Sequence, residues 1–545
     1  MNWEVLTMKS RTSSSKFTVF RKELTRFAPV WLAWCAMYLL GGYLCYDWQE
    51  DLTYNYSPFL SLFNLTNIVY GFACAACLFG YLHDSRECNT VHAFPYRREE
   101  YFLIHLLSGL VMSFVPAAVF CLAILPITHG NLLMLFLGMQ FQFLFYFALA
   151  VFCMMLTGRR FAAGVLYGLL NFIAPLLYLA IDILYIPYLP GIVLEAKPFL
   201  LLCPLFQLMF SDPQQLEVWY FGKDQIQLMT TCVTFAGVGV VLIALSLLLY
   251  RRRRLENAGN FLAFKCLEPV FVLVVTVVFG CFAALFGRMY LDNDWILLAI
   301  FLIIGYFAAL MMLKRSIRVF YVKSIVSMLA LMALIFGSLL LTTLDPLNRI
   351  HYVPDADQVA AVTLCESAYY RNQYRTTDLA EITDIADIHR ELLETGDFHS
   401  DSAPDSLKLT YEMKDGRRIV RNYQVDAGAA NVMERVNYYR SQPEYLIGTE
   451  NLEDLLKRFT SCSIYSKDGS VWYDLEEDQA EEFLSIFYAE AQEGKMYYPY
   501  YLNQSASYEL VLTLYSDSGV SSYYLYIPDT AVKTLEWICE NVPAA

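Results

Sequence analysis

The sequence predicts an α-helical polytopic membrane protein of about nine spans that ends in an extracellular α+β domain. Three observations carry that reading. Of the 545 residues, 57% are apolar and 17% are charged, whereas a soluble domain is about half apolar and a quarter charged. Apolar runs of span length recur along the first 344 residues. The charge is also divided. Residues 1–343 hold 23 Lys+Arg and 18 Asp+Glu, a net of +5, and residues 344–545 hold 16 and 35, a net of −19.

A helix needs about 20 apolar residues to cross the hydrocarbon core. Runs free of Asp, Glu, Lys and Arg at 27–46, 57–83, 161–181, 225–250, 269–287, 295–313 and 324–344 are read as seven spans. The stretch 101–158 is long enough for two more, with Pro126 and His129-Gly130-Asn131 as the turn between them. Residues 198–211 (PFLLLCPLFQLMFS) are apolar but too short to cross, which suggests a re-entrant or interfacial segment on the outer side.

Basic residues between spans set orientation. With the N-terminus inside, the inner segments carry 20: Lys9 to Arg26, then Arg86, Arg97, Arg98, Arg159, Arg160, Arg251 to Arg254, Lys265, Lys314, Arg315, Arg318 and Lys323. The outer loops carry Lys197, Lys223 and Arg288. An odd number of spans then places the acidic tail outside. The first apolar run lies behind some 26 polar residues and is span-length, so it is read as a signal anchor and not a cleaved leader.

Four segments follow. Residues 1–27 are a cytoplasmic N-terminus in which Phe17, Phe20, Leu24 and Phe27 share a helical face opposite basic residues, the pattern of an interfacial helix. An ordinary basic flank that sets topology is the alternative. Residues 28–250 form a six-span core, 251–344 three further spans, and 345–545 the outer domain.

In that domain LKLTYEMKDGRRIVRNYQV (407–425) is a hairpin signal around Asp415-Gly416. Helical spacing of Val432, Val436 and Tyr439 follows over 427–440. Further hairpins turn at Asp468-Gly469 and near Asp517-Gly519, with helices at 476–492 and 529–541 and one more at 378–395. A threefold ββα repeat is one reading, and chance likeness among hairpins is the other.

Catalytic signals are absent from the sequence. The tail contains no G-x-S-x-G and no H-E-x-x-H, and its three histidines, among them His389 and His399, lie apart in sequence. No enzyme activity, metal site or cofactor is expected. The acids Glu476, Glu477, Asp478, Glu481 and Glu482 suit the first turn of a helix. Eleven of the 14 Cys precede residue 344, and the three in the tail (Cys365, Cys462, Cys539) make no disulfide framework. Cys74-x-x-Cys77 lies inside a span and reads as packing. No G-x-x-x-x-G-K-[ST] loop occurs, so ATP chemistry would need a separate subunit. Ion coupling would leave ionisable groups in mid-membrane, and Asp182, His105 and Glu268 all fall near span ends. The tail's acidity excludes nucleic acid as a partner.

The polar stretch 82–102, LHDSRECNTVHAFPYRREEYF, carries both signs of charge between two spans. A short helix ending before Pro95 would project Arg86, Glu87, His92 and Phe94, and Arg97, Arg98, Glu99 and Glu100 would start the next helix. A topology-setting loop is the bland alternative, and a docking element is the functional one.

Val91 to Phe102 (VHAFPYRREEYF) resembles the HSLP-x-(T/S)-R-(K/E)-x-L-F segment of ABC-2-type transporter permeases from Firmicutes, with Ala93-Phe94 in place of Ser-Leu and Tyr96 in place of a small residue. Arg253 to Phe264 (RRLENAGNFLAF) resembles the R-x-x-E-x-A-G-x-x-(I/L)-A-F stretch after span 6 of those proteins. One branch of the family carries an exported C-terminal domain of unknown function. The resemblance implies a permease subunit with Arg86, Glu87, His92, Phe94, Pro95, Arg97 and Arg98 in a coupling helix against a cytoplasmic ABC ATPase. It also implies a second permease copy or paralogue within the bilayer. The alternatives are a membrane sensor with an outer ligand-binding domain and an ion-coupled transporter.

Overall fold

A computed structural model of the chain describes residues 16–46, 57–93, 96–126, 131–194, 197–209, 225–253, 258–290, 294–365, 373–395, 405–425, 430–447, 456–457, 459–466, 472–496, 508–516 and 519–542. Lys9, His129, Gly130, Lys223, Arg254, Glu256, His399, Asp468, Gly469 and Asp517 lie outside these residues. The fold divides into two compact units. Residues 1–184 and 194–338 make the first, and residues 185–193 and 339–545 make the second.

The first unit is helical. Helix α1 (Lys16–Arg26) turns by 54° into α2 (Ala28–Tyr46) at Phe27. Pro29 explains the bend, because it has no N–H to offer the carbonyl four residues back. Helices α3 (Ser57–Leu78), α4 (Ser85–His92), α5 (Arg98–Ile124) and α6 (Leu132–Leu156) follow. Asn131 starts α6 by accepting the Met134 N–H at 3.2 Å.

The run 161–181 is not one straight helix. It forms α7 (Arg160–Asn171) and α8 (Ile173–Leu184), bent by 64°. The cause is Pro175, which cannot donate to the Asn171 carbonyl. The Cys203 thiol takes that acceptor instead, at 3.4 Å. Residues 198–211 likewise fall into two short helices, α9 (Lys197–Leu201) and α10 (Pro204–Met209). Asn64 of α3 donates to the Pro204 and Leu205 carbonyls, both at 3.3 Å.

Four long helices complete the unit: α11 (Gln225–Arg252), α12 (Glu268–Tyr290), α13 (Asp294–Lys314) and α14 (Val322–Thr343), the last running on into the second unit. Among the described residues seven helices are long and apolar enough to cross a membrane, or up to nine if each bent pair counts as one span. Their open faces are apolar. Val240, Val241 and Leu248 of α11 are each more than half exposed, a surface that water disfavours and lipid accepts.

Among the described residues the second unit holds nine strands in two sheets. Strand β1 (Gly191–Ile192) comes from the short 185–193 segment. Then follow β2 (Val359–Cys365), β3 (Gln373–Thr376), α15 (Leu379–Thr395), β4 (Asp405–Met413), β5 (Arg418–Val425), α16 (Ala430–Arg440) and α17 (Pro443–Ile447). The rest is β6 (Phe459–Ser466), β7 (Trp472–Asp474), α18 (Glu477–Gln492), β8 (Tyr508–Ser516), β9 (Gly519–Ile527) and α19 (Val532–Asn541). The sheets run β1-β5-β4-β2-β3 and β7-β6-β8-β9.

Apart from β1, the two sheets have the same topology: hairpin, helix, hairpin, helix, with the first strands of the two hairpins paired at the centre. The three ββα units that the turn spacing suggests are present, and a further one, β2–β3–α15, precedes them, so the units pair into a twofold ββαββα. The hairpin β2–β3 completes the first copy, and no Asn-Gly or Asp-Gly dipeptide marks its turn.

Burial follows period two on the strands, as at Leu407, Leu409, Tyr411 and Met413, and helical spacing on α15, as at Ile382, Ile385 and Leu392. At the centre of the first copy His389 of α15 lies between two tyrosines. Its Nδ1 is 3.1 Å from the Tyr411 hydroxyl and its Nε2 is 2.7 Å from the Tyr423 hydroxyl. Burial, aided by the charges of Arg421 and Arg390, pushes its pKa down to about 3. The imidazole is neutral, as a fully buried ring requires.

The other face of Tyr423 meets β1. Gly191 pairs with Asn422, has φ +74°, and would bring a Cβ within 2.2 Å of the Tyr423 ring. Only glycine fits, on both counts.

Two outcomes follow. Gly191→Ala, in the full chain, should release β1, and hydrogen exchange at 419–423 should rise while exchange in the β6–β9 sheet stays unchanged. For His389, the folded value lies below the unfolded one of about 6.5, so unfolding takes up a proton at low pH. Stability is complete above pH about 6.5 and is lost as pH falls from there toward 3. His389→Gln should flatten that dependence when unfolding of the first copy is followed by hydrogen exchange across the range.

Candidate functional site

The stretch 82–102 folds as its charges suggest. After a tight turn at Gly80–His83, Asp84 takes an extended conformation and its carboxylate accepts the N–H groups of Arg86 (2.8 Å) and Glu87 (3.3 Å). These bonds start α4 and hold the Asp84 carboxyl below the usual carboxylate range. The helix buries Cys88 and leaves Arg86, Glu87, Asn89 and Thr90 exposed. It therefore presents a polar, mixed-charge outer face on an anchored base.

The anchor is a chain of hydrogen bonds with one polarity. The Tyr81 and Tyr250 hydroxyls lie 2.9 Å apart, His92 Nε2 lies 3.0 Å from the Tyr250 hydroxyl, and His92 Nδ1 lies 2.8 Å from the Cys88 carbonyl. A carbonyl only accepts, so Nδ1 carries the proton and Nε2 accepts from Tyr250. Tyr250 in turn accepts from Tyr81. Burial lowers the His92 pKa, which keeps the ring in the neutral form this chain needs. His83 is also neutral. Burial and the charges of Arg253 and Arg160 push its pKa down to about 3, and its Nε2 is 3.3 Å from the Thr157 hydroxyl.

Arg253 holds the ends of several elements together. Its Nη1 donates to the Met154 (2.6 Å) and Met155 (3.1 Å) carbonyls, and its Nη2 donates to the Leu82 carbonyl (2.9 Å). Its own carbonyl accepts from Arg98 Nη1 at 3.0 Å. The residue is 4% exposed. Burial lowers its pKa to about 10, so the group stays charged at neutral pH. Two of its acceptors are end carbonyls of α6, where the helix dipole favours a cation. Nearby, Gly158 and Leu262 tie the α6 end to the 258–264 segment through backbone bonds with Phe261 and Thr157.

Helix α1 docks on the same end of the bundle. Lys16 pairs with Glu100 at 2.7 Å, and Glu23 receives the Ser108 hydroxyl at 2.6 Å and faces His105 Nδ1 at 2.5 Å. On the rim Arg160 lies 3.5 Å from Glu87 and Arg251 lies 3.1 Å from Glu99.

The expected site residues separate into two groups. Arg86, Glu87 and Arg97 are exposed. His92, expected to project, turns inward to Tyr250 because its ring completes the hydroxyl chain. Arg98 is half-buried against the Arg253 carbonyl. Phe94 and Pro95 lie outside the described residues. The sequence did not single out Tyr250, the buried role of Arg253, or the partner of His105. One signal was present: Ser246, Tyr250 and Arg253 are spaced i, i+4, i+7, and all three are buried. Among the described residues no three His, Cys, Asp or Glu side chains come together as metal ligands.

Comparison with protein-family profiles, with curated proteins and with solved structures returns no match. The two segments that carry the ABC-2 resemblance, 91–102 and 253–264, nevertheless touch, through Arg98 and Arg253.

Arg253→Ala would orphan three buried carbonyls and remove the clamp. A loss of about 3 kcal/mol is expected, read as a lower detergent-solubilised unfolding temperature. Arg252→Ala, one residue away on the exposed side, should leave that temperature unchanged.

Proposed function

We infer that the protein is the permease subunit of an ATP-binding-cassette transporter, and that α4 with the start of α5 receives a separate cytoplasmic ATPase. The observation that carries this reading is the two-faced construction of α4. Arg86, Glu87, Asn89 and Thr90 are exposed, while Cys88 and His92 fix the helix to Tyr250 and, through Arg98 and Arg253, to the ends of α5, α6 and α11. A push on the outer face would be delivered to three long helices at once. A loop that only sets topology needs no such anchorage.

Chain parity supports the orientation drawn from the basic residues. The segment 185–193 leaves the bundle after α8 and belongs to the same unit as the C-terminal domain. Four long helices lie between that segment and residue 344. Four crossings return the chain to the side it left, so both parts of the second unit would share the outer face. In this reading a second permease copy or paralogue completes the path, and ATP binding favours one arrangement of the pair over the other.

The test is capture from the native membrane in mild detergent with identification of what stays bound. A stoichiometric protein carrying a phosphate loop is expected. Arg86→Glu with Arg97→Glu should weaken its retention by about tenfold, the scale of lost interface arginines, with the permease still folded. No ATPase across several detergents would overturn the reading.

A further inference from the structure

Between α1, the end of α3, α4 and the start of α5 lies a cavity of about 710 Å³. It is of the size of small-molecule sites. Val19, Phe27, Ala76, Leu78 and Val91 give it apolar walls, and Arg26, His105 and Arg160 give it a basic end. The two acids that line it are already engaged. Glu23 is met by Ser108 and His105, and Glu87 lies beside Arg160.

The donors are not all engaged. His105 is 6% exposed, yet its Nε2 has no hydrogen-bond partner among the described residues. The Arg26 guanidinium, on an exposed residue, lies over the Phe27 ring, 5.3 Å from its centroid. Arg160 passes close to Gly80, where a Cβ would stand 2.9 Å from its Nε, and lies 3.5 Å from Glu87. A buried polar nitrogen without a partner is costly, and here it borders a chamber that has room for one.

We propose that this cavity binds an anionic amphiphile: a phosphate-bearing headgroup between Arg26, His105 and Arg160, with an acyl chain along the apolar walls. A free phosphate would satisfy the donors but would leave the walls unfilled. A neutral or zwitterionic lipid would fill the walls but match the basic end less well. Glu87 and Val91 belong to α4, so an occupant would also steady the coupling helix. That consequence rests on the transporter reading, and the binding itself does not.

The test uses the purified full chain in mild detergent, with no ATPase, followed by native mass spectrometry with added phosphatidylglycerol or phosphatidylcholine. One phosphatidylglycerol should be retained preferentially, and millimolar inorganic phosphate should not displace it. Arg26→Gln with Arg160→Gln should lower its occupancy by about tenfold, the scale of a lost charge-assisted contact, and the double Lys variant should keep most of it. Val91→Trp, which leaves every cation in place and fills the chamber, should also expel the lipid. Equal retention of phosphatidylcholine, displacement by phosphate, or unchanged occupancy in the Gln and Trp variants would overturn the proposal. Failure to capture an ATPase would leave each of these results readable.

Discussion

A charged guanidinium buried among apolar helices needs a reason, and at Arg253 the reason is geometric. Taking the group out of water is expensive unless its donors are met. Here three carbonyls meet them, and two of these belong to the last turn of α6, which lacks intrahelical partners for its carbonyls in any case. One side chain thus satisfies a helix end, closes the 80–83 turn and sets where α11 stops. Arg98 then uses the Arg253 carbonyl to fix the start of α5. The arrangement of the whole end of the bundle depends on this residue.

The chain from Tyr81 through Tyr250 to His92 adds direction to that clamp. With a neutral His92, Tyr81 gives to Tyr250, Tyr250 gives to His92 Nε2, and Nδ1 gives to the Cys88 carbonyl, so the chain runs one way. Neutral His92 is a requirement of the same chain, and burial supplies it. Among the described residues the outer face of α4 has no comparable fixture, apart from the exposed Glu87–Arg160 pair. Such surface pairs contribute little. The helix is therefore fixed on its inner face by hydrogen bonds and exposed on its outer one.

Much of this was legible in the sequence. The apolar runs gave the long helices, a short helix was expected ahead of Pro95, and Asp415-Gly416 marked its hairpin, with Gly416 at φ +84°. What escaped has identifiable causes. Pro175 sits inside an apolar run, and hydropathy does not register a missing N–H. In the run Arg251 to Arg254 composition cannot say which arginine turns inward; only continuation of the α11 stripe from Ser246 through Tyr250 does. His105 was noticed, but its partner Glu23 lies on α1, far away in sequence. The fourth unit of the repeat was missed because its hairpin, β2–β3, lacks the glycine turn that advertised the others.

The short segment 185–193 shows why such a repeat could not have been completed by pattern alone. Two residues, Gly191 and Ile192, extend the first sheet on the edge of β5. In the second sheet β9 occupies the corresponding place as its last strand. The copies therefore differ by a strand borrowed from the loop after α8, and that strand is admitted by a single glycine under Tyr423. Because Tyr423 also holds His389, the added edge and the centre of the first copy share one side chain. The second unit is accordingly joined to the helical unit at three points along the chain, at 184–185, 193–194 and 338–339. A domain carried only as an appendage would need one connection. Three connections, two of them flanking β1, make this unit discontinuous along the chain.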